Sequence, residues 1–181
     1  MPASNKIEIK STKTSSLIAG YASVFDNKDA QGDIILAGAF GQFISEKAKD
    51  IKFLWQHNPN KPIGIIKKLQ QDYYGLYVEA ELNTTSSIAK EAISLIKQGA
   101  LNGLSIGFKA NKTRYNDKGE REILSLTLLE ISIVTFPANS KAQIGFITKS
   151  FCDPPNVDLR LEISNKNISN LTEQLTKKYY E

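Results

Sequence analysis

Histidine and cysteine each occur once in the 181 residues, as His57 and Cys152. One histidine excludes a multi-histidine metal site, and it gives any Ser-His or Cys-His chemistry a single imidazole to work with. One cysteine excludes an internal disulfide and agrees with a reducing compartment. No apolar run approaches the ~18 residues of a membrane-spanning helix. The start, Met1-Pro2-Ala3-Ser4-Asn5-Lys6, has no apolar signal core, so a chain that stays in the cytoplasm is expected. The net charge of +4 is mild, and no Lys/Arg cluster is interleaved with aromatics. Neither nucleic acid nor membrane is therefore expected as a partner. No P-loop or dinucleotide fingerprint occurs, and no cofactor is expected. Asp26, Asp29 and Asp33 do not make a calcium loop, because Lys28 and Ala30 stand where oxygen ligands would be needed. A polar loop without metal is the expectation there.

With 41% apolar and 23% charged residues, the chain can bury a sizeable core. Residues 1–150 are expected to form one domain, with Asp153-Pro154-Pro155-Asn156 as a linker into a tail over 151–181. In that tail Val157, Leu159, Leu161 and Ile163 alternate like a strand, and Ile168, Leu171 and Leu175 follow at helical spacing. The body reads mostly as strands: 6–10, 17–25, 51–55, 63–69, 73–82, 103–114 and 121–136. Gln70-Gln71-Asp72 and the connector from Tyr115 to Glu120 supply turn chemistry. Two helices are predicted, over 37–49 with Phe40, Phe43 and Ile44 on one face, and over 86–98. The second has Ile88, Ala92, Ile93 and Ile96 at helical spacing, Thr85 or Ser86 to cap it and Gly99 to end it. The expected class is mainly β with flanking helices (α+β), an antiparallel barrel or sandwich with the helices outside.

If His57 is a base, a nucleophile and an orienting acid must be sought. Among sixteen serines, Ser105 stands out. In Gly103-Leu104-Ser105-Ile106-Gly107-Phe108 it shares a strand face with two glycines, where another backbone, such as a peptide substrate, can approach closely. Glu130 is the second oddity, since by alternation it falls on one face with Leu126, Leu128 and Val134. A carboxylate there is costly unless it is hydrogen-bonded, and an imidazole N–H is one partner that would satisfy it. Cys152 is the competing nucleophile, in a linker with Asp153 beside it and no adjacent cation to lower its pKa. Each feature also has an ordinary reading: a packing histidine, a kinked strand, an edge glutamate facing solvent.

Taken in order, these residues resemble the prohead (capsid-maturation) serine protease family of tailed phages, which is related to the herpesvirus maturational proteases. The resemblance covers roughly residues 16–148. It runs through Gly20-Tyr21-Ala22-Ser23-Val24-Phe25-Asp26, Gly32-Asp33-Ile34-Ile35-Leu36-Ala37-Gly38-Ala39-Phe40 and Leu54-Trp55-Gln56-His57-Asn58-Pro59. Pro62-Ile63-Gly64, Gly75-Leu76-Tyr77-Val78-Glu79-Ala80 and Gly103-Leu104-Ser105-Ile106-Gly107-Phe108 come next. Leu129-Glu130-Ile131-Ser132-Ile133-Val134-Thr135-Phe136-Pro137-Ala138-Asn139 closes it. The resemblance implies a herpesvirus-protease-like antiparallel β-barrel surrounded by a few helices. It implies a serine endopeptidase with His57 as base, Ser105 as nucleophile and Glu130 as the acidic third member. Backbone N–H groups of Ala138 or Asn139 would be the oxyanion donors. The implied substrates are the major capsid protein and the scaffold protein or segment, cut inside the immature procapsid in the host cytoplasm. Cleavage of the chain itself is also implied, with the 151–181 tail as a self-cleaved or scaffold-docking element, and the herpesvirus relation suggests a homodimer. The rival classes are a non-catalytic capsid-assembly or scaffolding protein on the same fold and an unrelated β-barrel binding module.

Overall fold

The computed structural model describes residues 15–42 and 44–150. The strand predicted at 6–10, Phe43, Cys152 and the 151–181 tail lie outside the described residues. Eight strands occur in order: β1 Ser15–Val24, β2 Asp33–Ile35, β3 Lys52–Trp55, β4 Asn58–Gln71, β5 Gly75–Leu82, β6 Gly103–Tyr115, β7 Arg121–Val134 and β8 Ile144–Ser150. One α-helix, α1 Ser87–Lys97, and a single 3-10 turn at Ile44–Lys47 complete them.

All eight strands belong to one sheet. β6 pairs with one edge of β7, and β7 is followed by β3, β4, β5, β1 and β8, with the short β2 beside the start of β7. The pairings are antiparallel except for two: β2 and β3 both run parallel to β7. The two ends of the sheet come together. The Leu104 N–H donates to the Ala142 carbonyl at 3.0 Å, and the Ile144 N–H to that of Asn102 at 2.8 Å. The segment leading into β8 thus bonds to the start of β6, while the Gln143 carbonyl also accepts from the Tyr21 N–H of β1 at 3.2 Å. A β-rich sequence with its apolar residues on one face has curled on itself, so Phe53, Ile18, Ile63, Leu69, Leu104 and Ile131 are all but fully buried. Each such side chain contributes roughly 1.5–3 kcal/mol by leaving water.

Register in β7 decides where the site falls. Gly107 pairs with Glu130 but Phe108 with Leu128, so Leu129 bulges, and two further shifts lie between Ala110 and Lys112 and between Lys112 and Thr113. Each added residue reverses the facing of the strand beyond it. The core therefore takes Ile131 and Ile133 on one side of the bulge and Leu128 and Leu126 on the other, while Leu129 is left exposed. The expectation that Glu130 shares a face with Leu126 and Leu128 is thus corrected: they point inward, and Glu130 sides with Ser132 and Val134.

Both predicted hairpins form, but the first turns at Asp72–Gly75 and not at Gln70-Gln71-Asp72, because Gln70 and Gln71 stay in β4 and pair with Tyr77 and Leu76. The Asp72 N–H donates to the Gly75 carbonyl at 3.0 Å, and the Asn116 N–H to that of Glu120 at 3.0 Å. α1 matches its prediction to within a residue. Gly99 has φ 75°, and the Gly99 and Ala100 N–H groups return to Ile96 and Leu95, a Schellman ending that satisfies two orphan carbonyls. Ser86 occupies the N-cap position without a side-chain cap bond. The helix predicted over 37–49 does not form. Gly38 and Gly41 adopt φ of 88° and 78°, which no right-handed helix contains, and only the turn at Ile44–Lys47 remains.

Asp33 is 2% exposed and gives both oxygens to Arg121, Oδ1 to Nε at 2.5 Å and Oδ2 to Nη2 at 2.6 Å, fastening β2 to β7. Because Arg121→Ala leaves a buried carboxylate unpaired, it is expected to lower the midpoint of urea unfolding. An unchanged midpoint would show the pair to be dispensable.

Candidate active site

β3 enters alongside β7 and turns back into β4 through two residues, Gln56 and His57, since Trp55 and Asn58 are paired. Both have left-handed backbones, φ 53° and 56°. Two successive positive φ values mark a type I′ hairpin turn, normally built from Asn and Gly. For ordinary side chains the left-handed region costs roughly 1–2 kcal/mol per residue. Contacts to β7 and to Thr135 just past its end offset that cost. The Gln56 N–H donates to the Ile133 carbonyl at 3.0 Å and the His57 N–H to Ser132 Oγ at 3.1 Å. The Gln56 amide also donates to Thr135 Oγ1 at 2.9 Å and accepts from the Thr135 N–H at 3.2 Å.

On the adjoining ladder Ser105 stands opposite Ser132, and Gly107 opposite Glu130. Glu130 uses both oxygens: Oε1 lies 2.6 Å from His57 Nδ1, and Oε2 accepts from Ser132 Oγ at 2.6 Å. An ionised carboxylate only accepts, so it fixes the proton on Nδ1 and leaves Nε2 as the basic nitrogen. This bond is the chief reason that the His57 pKa is raised from its ordinary 6.5. Partial burial opposes the rise, and the Glu130 charge adds to it.

The glycines flanking Ser105 serve a different purpose from the one expected. A Cβ on Gly107 would collide with Glu130 Oε1, and one on Gly103 with the Val134 carbonyl and the Pro137 ring. Gly107 makes room for the chain's own carboxylate, and Gly103 for its own Val134 carbonyl and Pro137 ring.

His57 and Ser105 line one cavity of about 680 Å³, together with Arg121, Phe136, Ala138 and Asn139. Ser105 is 4% exposed, and its hydroxyl makes no hydrogen bond among the described residues. The serine–imidazole link is thus the one contact of the expected triad that is open. Such links often tighten only when substrate is bound. Asn139 Nδ2 donates to the Val24 carbonyl at 2.8 Å, and Oδ1 accepts from Asn27 Nδ2 at 3.0 Å. The Ala138 carbonyl accepts from the Ala30 N–H at 2.9 Å. The backbone N–H groups of Ala138 and Asn139 have no hydrogen-bond partner among the described residues. In the aspartate loop, Asp29 Oδ1 accepts from the Gln31 and Asp33 N–H groups, and Asp33 is taken by Arg121, as a polar loop requires.

Sequence reasoning missed Ser132, Gln56 and Thr135. For Ser132 a signal existed, two residues from Glu130 on the same strand face. For Gln56 and Thr135 there was none, because their pairing spans 79 positions.

The family model for the caudovirus prohead serine protease matches residues 4–154. The chain is 36% identical over 132 residues to the prohead protease of Enterobacteria phage HK97, covering 71% of this chain and 59% of that protein. With the prohead protease of Escherichia phage T5 it shares 34% over 125 residues, covering 67% and 58%. It therefore spans about three-fifths of the length of these curated relatives. Among solved structures, the bacteriophage T4 capsid assembly protease overlays with a TM-score of 0.49 at 12% identity, covering 65% of this chain and 82% of that one.

The geometry sets two expected outcomes. Gly107→Ala should displace the Glu130 carboxylate and lower the rate of any His57-assisted reaction by roughly 10²–10⁴. A rate within a few-fold of the parent would show that the carboxylate has room to move. The pH dependence has a definite sign. For any reaction in which His57 is the base, kcat/KM should rise with pH through a midpoint above 6.5, because a base must be neutral to act, and Glu130→Ala should lower that midpoint. The folded chain holds the His57 proton more tightly than the unfolded one. The His57–Glu130 pair therefore adds stability in full below about 6.5, and that stability is lost as pH rises through the folded-state pKa.

Proposed function

The chain belongs to the caudovirus prohead serine protease family, and from that membership we propose that it is a serine endopeptidase of capsid maturation, with Ser105, His57 and Glu130 as its catalytic residues. The observation that carries the reading is the 2.6 Å contact between His57 Nδ1 and Glu130, in a site where Nε2 is the basic nitrogen and Ser105 lines the same cavity. His57 Nε2 takes the Ser105 proton as Oγ attacks the peptide carbonyl, and Glu130 stabilises the imidazolium that forms. The imidazolium then gives the proton to the leaving amine. Water, deprotonated by the same nitrogen, attacks the acyl-enzyme, and the proton returns to Ser105 as the acid product leaves. Backbone N–H groups of Ala138 and Asn139 receive the oxyanion, each worth about 3 kcal/mol.

The substrates under this reading are the major capsid protein and the scaffold, inside the procapsid, with the tail from 151 as a site of self-cleavage. A capsid polyprotein of Pseudomonas phage PAJU2 supports the coupling of protease and shell. It is 37% identical to this chain over 101 residues, which are 15% of that protein. Coexpression with the cognate capsid protein, followed by mass measurement of every chain, tests the proposal. Ser105-intact protein should shorten the capsid protein and itself, and Ser105→Ala should shorten neither. Full-length capsid protein in both cases would favour a non-catalytic assembly role on the same fold.

A further inference from the structure

We propose that Ser132 is a positioning residue of this site, setting the direction of the Glu130 carboxylate and the placement of His57 through one hydroxyl. The inference rests on the protease reading and deepens it. Ser132 is fully buried and does not line the cavity, so it is not a competing nucleophile although it stands directly across from Ser105. Its Oγ donates to Glu130 Oε2 at 2.6 Å and accepts from the His57 N–H at 3.1 Å. A hydroxyl has one proton and two lone pairs, and here the proton faces the acceptor-only carboxylate while a lone pair faces the backbone donor.

Both ends of the imidazole–carboxylate bond are thereby referred to one atom on a strand whose neighbours, Ile131 and Ile133, are locked in the core. Without that hydroxyl, the carboxylate retains only His57 as a side-chain partner among the described residues and is free to turn about its own axis. The left-handed His57 backbone also loses one of its ties to β7. A catalytic geometry is held only as well as the groups that support it.

The charged groups around His57 are Glu130 and, lining the same cavity, Asp29 and the Asp33–Arg121 pair. Ser132→Ala changes none of them, so a change in His57 titration reports position and not charge. His57 is the chain's one histidine, so its imidazole resonances need no assignment. The experiment titrates His57 by NMR in full-length protein carrying Ser105→Ala to prevent self-cutting, with and without Ser132→Ala, and checks folding by thermal unfolding. In Ser105-intact protein it also measures the labelling rate by a serine-directed phosphonate probe.

Ser132→Ala should fold, lower the His57 midpoint toward 6.5 and slow labelling by on the order of 10-fold to 100-fold. Ser132→Thr, which keeps the hydroxyl, should restore both. If the alanine variant does not fold, Ser132→Cys, which keeps the volume but bonds weakly, takes its place in the comparison. A parental midpoint in a folded variant lacking the hydroxyl overturns the proposal. Failure of the protease reading looks different: Ser105 then takes no label in any form, while the midpoint comparison, which needs no turnover, still decides the role of Ser132.

Discussion

A carboxylate bonded through each oxygen to a different partner has one orientation left to it, and the site is built around that restriction on Glu130. One oxygen meets His57 Nδ1 and the other meets Ser132 Oγ. Two features of the backbone make this arrangement accessible. The bulge at Leu129 lets β7 keep Leu128 and Ile131 in the core while turning Glu130 away from them. The bare Cα of Gly107 leaves the volume that the carboxylate fills. Half-buried charge is tolerated only where hydrogen bonds replace lost water, and here these bonds also orient the imidazole.

The position of the site is set by how the sheet closes. β6 is held by β7 along its length, but its other edge bonds only near its start, to the residues leading into β8. Beyond that point the barrel wall opens, and the cavity occupies the gap between β6 and the loop that carries Asp29 and Asp33. The buried Asp33 and its Arg121 partner tie that loop to the start of β7. The strand that presents Glu130 at one end thus anchors the far wall of the cavity at the other.

Much of this was legible in the sequence, for reasons that differ from residue to residue. β1 and the strands from β3 to β7 announce themselves by β-branched, alternating runs, and α1 by its apolar stripe and Gly99. The 37–49 helix failed because Phe40 and Ile44 are core residues delivered by successive turns, and a periodic count does not distinguish turns from helix when glycines intervene. Glu130 was selected from an alternation that the Leu129 bulge breaks: the residue was identified, but its facing was not. Bulges shift register by one residue without a compositional mark, so parity along a fourteen-residue strand such as β7 is not readable from one chain. The turn at Gln56 and His57 was hidden for a related reason. Type I′ turns are recognised by Asn and Gly, and here the left-handed residues are held by contacts to β7 and Thr135, not by their own propensities.

That turn gives one side chain two contrary effects on the fold. A glycine at position 57 would adopt the same backbone at no steric cost, but it would leave Glu130 Oε1 without its imidazole partner. A backbone cost and a carboxylate pairing thus meet in the residue on which the proposed reaction depends.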